Sequence, residues 1–430
     1  MRSVLRSVRK RKKVRRLGEV EIVRREEYAE LEVDAKVELI RSLVPLGLMH
    51  VQELLDQEVQ ALAGPWYERK EATQPGRRHG SNPGSVRMAG QRVPIRVPRV
   101  RRADGAEIPL RSYDALNTGG AIDERLLKRV LYGISCRNYE RAAEAIPGAI
   151  GLSSSTVSRG FIEASATKLR ELQERDLRGE DVVALFVDGK TFADATMVVA
   201  LGITMAGDKR FLGFVETETE NEKVLTPFLR SLVERGLKID QGLLVILDGG
   251  KGLRSAVRTA FRNRAVVQRC QWHKRENVVS YLSKAEQRLW RKRLQRAYDR
   301  PTYQEAAAAL AQLCGELAER NQSAAGSLEE GLEETLTLHR LDMYGVLGCS
   351  LKTTNCLESV NALVEERCAK VDHWKNSSQR HRWLATALVD IEPRLRKVRG
   401  YRHLPQLREA LKRELKIEGK SSTSSRKKAA

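Results

Sequence analysis

The chain has 430 residues, enough for two or three domains with cores of their own. It carries 77 Lys and Arg against 56 Asp and Glu, a formal charge of +21, which points to a polyanionic partner, with nucleic acid first and an anionic membrane surface second. No apolar run approaches the roughly 18–20 residues of a membrane span. No apolar signal core follows the basic N-terminus, and the six cysteines are too scattered for a disulfide framework, so a reducing cytoplasm is expected.

Residues 1–16 hold nine basic side chains and no acid, which reads as a solubilising tail, a backbone-grasping arm, or both. Residues 26–68 read as helices: Leu39, Ile40, Leu43 and Val44 fall at helical spacing, and Leu46, Met49, Val51, Leu54 and Leu55 continue it after Pro45. Residues 75–90, rich in Gly, Pro, Ser and Asn, read as a linker or loop. Eight arginines and no acid lie between Arg77 and Arg102. Within that stretch Val93, Ile95 and Val97 alternate on one face, Pro94 and Pro98 confine the segment to a sheet edge, and Ala103-Asp104-Gly105 is a turn into a hairpin partner at 107–110. Arg77, Arg78, Arg96, Arg99, Arg101 and Arg102 suit a phosphate backbone, and equally an edge protected from aggregation by charge.

Residues 123–132 read as an amphipathic helix with Leu126, Leu127, Val130 and Leu131 inward, ended by Gly133. A second helix is expected at 138–146, then a serine cap at 153–155 and a long helix over 156–175. This is the rhythm of a helix-turn-helix, with Arg137, Thr156, Ser158 and Arg159 as DNA contacts; any three-helix bundle shows the same rhythm.

After a charged break at 175–180, strands are predicted at 182–187, 197–204, 211–217, 243–247 and 265–269, with helices at 222–234 and 254–261. Three strands in a meander, then helix, strand, helix and strand, make a mixed α/β sheet in the order of a ribonuclease H-like fold. Residues 276–345 are helical throughout, and 355–370 form a further helix. The domains so read are 1–75, basic arm and helices; 76–120, arginine-rich hairpin; 121–178, helix-turn-helix-like; 179–275 with 350–400, the α/β core; 276–349, an all-helical insertion; and 401–430, a basic C-terminal tail.

Two apolar strands each deliver an aspartate followed by glycine: Asp188 in VVALFVDGK and Asp248 in LLVILDGG. Either Asp-Gly alone is an ordinary tight turn. Two of them at the carboxyl ends of neighbouring central strands would bring two carboxylates together, and two such anions need a cation between them. Hard oxygen ligands suit Mg²⁺ or Mn²⁺. Glu358 in TTNCLES supplies a third acid, although Asn355 with Glu358 also reads as a capping box. Cys270 and His273 are spaced as half a zinc site, with His339 or Cys314 as distant partners, or as a structural tie between insertion and sheet; the second is favoured. Lys190 and Lys251 flank the acids as phosphate contacts or ordinary surface lysines.

FVDGK, LDGGKGL, RCQWHKREN and TTNCLESVNALVEER, in that order, resemble the Mutator-type bacterial transposases, a branch of the DDE transposases. The resemblance is close over 182–367 and looser before it. It implies a catalytic, metal-binding triad of Asp188, Asp248 and Glu358, with Cys270 and His273 as the family's signature pair. It also implies two-metal phosphoryl transfer with two Mg²⁺ or Mn²⁺ ions per site: cleavage at the element's end, then attack of the freed 3′-hydroxyl on target DNA. The expected partners are double-stranded terminal inverted repeats and target DNA, and the expected assembly is a dimer or higher oligomer in a prokaryotic, nucleoid-associated setting, with no membrane. The competing readings are a ribonuclease H-like nuclease without strand transfer and a transposase-derived DNA-binding regulator.

Overall fold

A computed structural model of the chain describes residues 44–65, 74–88, 91–118, 124–136, 153–218 and 221–417. The basic arm, the predicted helix at 26–43, the second helix at 138–146 with Arg137, and residues 418–430 lie outside them. The chain divides into two compact units, 1–164 and 165–430.

In the first unit, helix α1 (Val44–Ala63) carries Pro45 in its first turn, where a missing N–H costs nothing. The stretch expected to be a linker is a strand. β1 (Arg77–Met88) pairs antiparallel with β2 (Gln91–Arg101) along nearly its whole length. The composition misleads because glycine and proline are tolerated at an exposed edge: Pro83 and Gly84 pair across the ladder with Arg96 and Ile95. β3 (Glu107–Ile108) pairs only with Val100 and Arg101, so most of the second edge of β2 stays open for Pro94 and Pro98. Val86, Met88, Val93 and Val100 bury against Val51, Leu54, Leu55 and Val59 of α1, joined by Leu116 of α2 (Arg111–Asn117). α3 (Glu124–Leu131) buries Leu126, Leu127, Val130 and Leu131 as its pattern requires. Gly133 ends it at φ +99°, with Gly133 N–H donating to Val130 O and Ile134 N–H to Arg129 O. α4 (Ser154–Gln173) starts at the serine cluster, where Ser153 Oγ accepts from Thr156 N–H.

The second unit is built on five strands: β4 (Val182–Phe192), β5 (Ala195–Thr204), β6 (Lys209–Thr217), β7 (Leu243–Leu247) and β8 (Ala265–Arg269). Their order in the sheet is β6-β5-β4-β7-β8, antiparallel on one side of β4 and parallel on the other. α5 (Glu222–Glu234) and α6 (Lys251–Phe261) cover one face, packing Leu225, Leu229, Leu253 and Val257 on Leu185, Val187, Val245 and Leu247.

Beyond β8 come α7 (Gln271–Ser280), α8 (Lys284–Tyr298), α9 (Tyr303–Ala318) and α10 (Gln322–Glu329), with their own core around Trp290, Leu294, Leu310 and Leu317. The segment expected to continue as one helix from 328 to 344 instead breaks at Gly331, which is left-handed, into the single turns Leu332–Thr335 and Thr337–Arg340. These turns cover the edge of β8: Gln268 Nε2 donates to Thr335 O, and Leu338 N–H donates to Gln268 Oε1. α11 (Tyr344–Leu351), α12 (Asn355–Cys368), α13 (Ser377–Ile391) and α14 (Leu404–Glu414) complete the unit. The segment expected as a tail from 401 is folded up to residue 417. Leu404, Leu407 and Leu411 are fully buried, and α14 packs on β4 and β7, with Arg408 Nη2 donating to Val182 O. The apolar spacing of Leu404, Leu407 and Leu411 was the available signal, obscured by the basic residues between them.

Candidate active site

The register of two parallel strands sets the site. Ala184, Leu185 and Phe186 of β4 lie beside Leu244, Val245 and Ile246 of β7, and the same offset of 60 positions separates Asp188 from Asp248. Side chains alternate along a strand, so Asp188 shares the face of Ala184 and Phe186, opposite the face that α5 and α6 cover, and Asp248, just past β7, lines the same cleft.

The two aspartates get there differently. β4 does not stop at Asp188 as expected: it runs on to Phe192, with Asp188 paired to Val199 and Gly189 to Val198, and the hairpin turns at Ala193-Asp194, both with positive φ. The tight-turn reading of Asp188-Gly189 is therefore excluded. Asp248 does sit in a turn just past β7, its Oδ1 accepting from Gly250 N–H at 3.0 Å. Gly249 has φ +101°, and a Cβ there would fall 1.9 Å from Nε of the buried Arg269, so only glycine fits. Asp188 is 9% exposed, and Asp248 is half-buried.

Glu358 lies in the first turn of α12, but not in a capping box. The N-cap is Thr354, and Asn355 is already helical. The Thr354 side chain makes no cap bond because it is spent elsewhere: its hydroxyl lies 3.7 Å from Cys270 Sγ and 3.3 Å from His273 Nδ1. Cys270 is fully buried, and its N–H donates to Leu247 O at the end of β7. The Cys-x-x-His turn thus joins the strand that delivers Asp248 to the helix that delivers Glu358. His273 Nε2 stands 3.9 Å from Glu358 Oε1. Burial alone would lower the His273 pKa; the Cys270 side chain and the charges of Asp188 and Asp248 outweigh it and raise the value to about 9. Burial pushes the Cys270 thiol up, but its contacts with His273 and Thr354 bring it below the ordinary value. The distant zinc partners lie elsewhere: His339 Nε2 meets the carbonyls of Tyr298 and Arg300, and Cys314 Sγ meets Ala325 O and Glu329.

Asp188, Asp248 and Glu358 line one cleft of about 230 Å³ together with Lys190, His273 and Asn361. Thr354 and Asn361 were missed as site residues. Asn361 follows Glu358 by three residues, which places it on the same helix face. Lys190 Nζ is paired with Glu365 at 2.5 Å, and Lys251 is exposed at the first position of α6. The acids offer hard carboxylate oxygens to a cation. Among the described residues no three His, Cys, Asp or Glu side chains close on a single point as a finished ligand set.

The expected DNA contacts of the first unit are scattered in role. Arg78 Nη2 donates to Gly64 O, Arg99 forms a two-point pair with Glu107, and Arg101 Nη1 reaches His79 Nε2. Arg77, Arg96 and Arg102 are exposed, Arg96 within reach of Ser81 Oγ. Thr156 and Ser158 are half-buried, and the exposed Arg159 donates to Ser155 O.

Residues 18–397 match the family model for transposases of the Mutator family. The chain is similar to the transposase for insertion sequence element IS256 in transposon Tn4001 of Staphylococcus aureus, 27% identical over 79% of this chain and 87% of that protein. It is 29% identical to the transposase for insertion sequence element IS406 of Burkholderia multivorans, over 76% and 84% of the two chains. It is 25% identical to the transposase for ISRM5 of Rhizobium meliloti, over 86% and 94%. Among the described residues no helix is long and apolar enough to cross a membrane.

Proposed function

Because the chain belongs to the Mutator family of transposases, we propose that it is the transposase of a bacterial insertion sequence, cutting the ends of its element and joining them to target DNA at the cleft of Asp188, Asp248 and Glu358. The observation that carries this reading is the shared β4–β7 register, which brings two carboxylates from positions 60 apart to one cleft, with Glu358 tied in through Cys270, Thr354 and His273. The strand order with its three-stranded meander supports a ribonuclease H-like core, and the separately cored helices between β8 and α12 support reading them as an insertion.

Asp188, Asp248 and Glu358 would hold Mg²⁺ or Mn²⁺, two ions per site. Carboxylate oxygens are the donors such ions prefer. Bound there, the ions would supply Lewis-acid activation of a water or 3′-hydroxyl and charge stabilisation of the leaving oxygen. The chain's own residues do the positioning. The β4 ladder fixes Asp188, the turn at Gly249-Gly250 fixes Asp248, and Thr354 with His273 fixes the first turn of α12. The +21 charge supports double-stranded DNA, terminal repeats and target alike, as the partner. Two element ends must meet, so a dimer or larger assembly follows from the reaction. The cleft alone equally suits a nuclease that cuts without joining.

Strand transfer on a labelled element-end duplex with Mg²⁺, compared between wild type and Asp188→Asn, tests this. We expect joined products from the wild type and a loss of about 10³-fold in the variant, the scale of several kcal/mol of transition-state stabilisation, with duplex binding retained. Cleavage without joining would favour the nuclease. Binding without any reaction by either protein, in Mg²⁺ or Mn²⁺, would sink the catalytic reading and leave a DNA-binding regulator.

A further inference from the structure

The cations of the helical region sort themselves by partner. Between Gln271 and Leu351, Arg291 pairs with Glu276, Arg293 with Glu316, Arg320 with Glu286 and Arg340 with Glu414. Lys274 and Arg275 are likewise satisfied, by backbone carbonyls and by Glu276. Five cations have no ion pair or side-chain hydrogen bond among the described residues, and all lie in one stretch: Lys284, Arg288, Lys292 and Arg296 on α8, then Arg300 just past its end. All five are exposed.

The four on α8 stand at successive i, i+4 positions, so they form one row about 18 Å long, inclined to the helix axis. Like charges at that spacing destabilise a helix. A merely solvated face would interleave acids, as the rest of this region does. Glu286, the one acid of α8, lies off the row and is engaged by Arg320 and Ser283.

We infer that the Lys284–Arg288–Lys292–Arg296 row of α8 is a binding surface for the phosphate backbone of double-stranded DNA, the inference resting on the function proposed above. Three observations fit this partner. Steps of one helical turn between point charges suit successive phosphates, which ask for charge and not for shape. Along the helix axis, the row runs toward the level of the cleft. α7 and α8 lie antiparallel, Arg275 Nη1 donating to Gln295 Oε1 and Arg291 Nε to Glu276 Oε2, so the end of α8 that carries Arg296 is level with the turn of α7 that carries His273. The apolar side of α8, with Trp290, Leu294 and Ala297, is consumed by the helical core, leaving Leu289 as the only large apolar residue exposed on the helix. A lipid surface needs an apolar face to insert, and α8 does not keep one.

The test is equilibrium binding of the full chain to a labelled DNA duplex at stepped KCl concentrations. It compares Arg288→Gln/Lys292→Gln with Arg291→Gln/Arg293→Gln, two double variants of equal charge change on the same helix. Each phosphate contact contributes about 0.9 to the slope of log K against log salt. The first variant is expected to flatten the slope by about 1.8, and the fourfold variant including Lys284→Gln and Arg296→Gln by about 3.6. The second double variant is expected to leave the slope near the wild-type value. Circular dichroism checks that each remains folded. Equal flattening by both double variants would mean that net charge alone is felt, and would overturn the inference. So would an unchanged slope in a wild type and variants that all bind, which would leave the transposase reading standing. Wild type that binds no duplex would overturn both. Binding to anionic vesicles lost in the fourfold variant, with its DNA slope unchanged, would assign the row to lipid instead.

Discussion

β2 and β4 are long hairpin strands of similar length that treat charge in opposite ways. β2 buries one side only, so Arg92 and Arg96 alternate outward between Val93, Ile95 and Val97 at almost no cost. β4 is buried on both faces from Val182 to Val187, because it is central and carries helices on either side. A carboxylate at the end of that run, in Asp188, is expensive unless something needs it. A charge on an exposed strand is therefore weak evidence of function, and a charge in a doubly covered strand is strong evidence.

The sharpest way to break that comparison is to place the same carboxylate in both strands. Leu185→Asp, at a fully buried position of β4, is expected to cost several kcal/mol and to leave the second unit unfolded, whereas Arg96→Asp on β2 is expected to change the urea midpoint hardly at all. Similar midpoints for the two would show that β4 is not covered as described. Next in size, Gly249→Ala forces a Cβ into Arg269 at a positive φ. We expect a loss of about 2–3 kcal/mol in chemical denaturation and reduced strand transfer, since the turn that holds Asp248 must shift. Unchanged stability would mean that the turn adapts freely.

A third test concerns a buried charge that is structural. Lys274 is fully buried one residue after His273, its Nζ donating to Ser327 O and Glu330 O. Burial, aided by the Arg269 charge, lowers its pKa from 10.5 to about 8. Between those values the unfolded chain holds a proton that the folded chain has released, so stability should rise with pH from about 8 towards 10.5. The urea midpoint followed across that window should climb in the wild type more than in Lys274→Met; parallel curves would show that Lys274 keeps its proton. Burial flags a charge for attention, and its partners decide its role.

Much of this was legible along the chain. The strands at 243–247 and 265–269 and the helix at 222–234 fall where their apolar patterns put them, because a segment covered by neighbours must be apolar at fixed periods. Asp188 and Asp248 stood out because each interrupts such a run. The strand at 77–88 was illegible because an exposed edge sets few demands on composition, and its Gly, Pro and Ser read as loop. The helix at 404–414 was hidden by its basic exposed face.

The sequence by itself determined which segments are apolar enough to be core and which carboxylates end or interrupt them, since burial acts on each residue where it stands. Only the tertiary structure decided that β4 passes through Asp188 without turning, that the β4–β7 register brings Asp188 and Asp248 to one cleft, and that Thr354 gives up capping α12 to join Cys270 and His273. It also decided which arginines of the helical region are spent on glutamates and which face solvent unpaired. These are pairings between residues tens of positions apart, chosen by which surfaces meet when the core closes, and no local pattern records them.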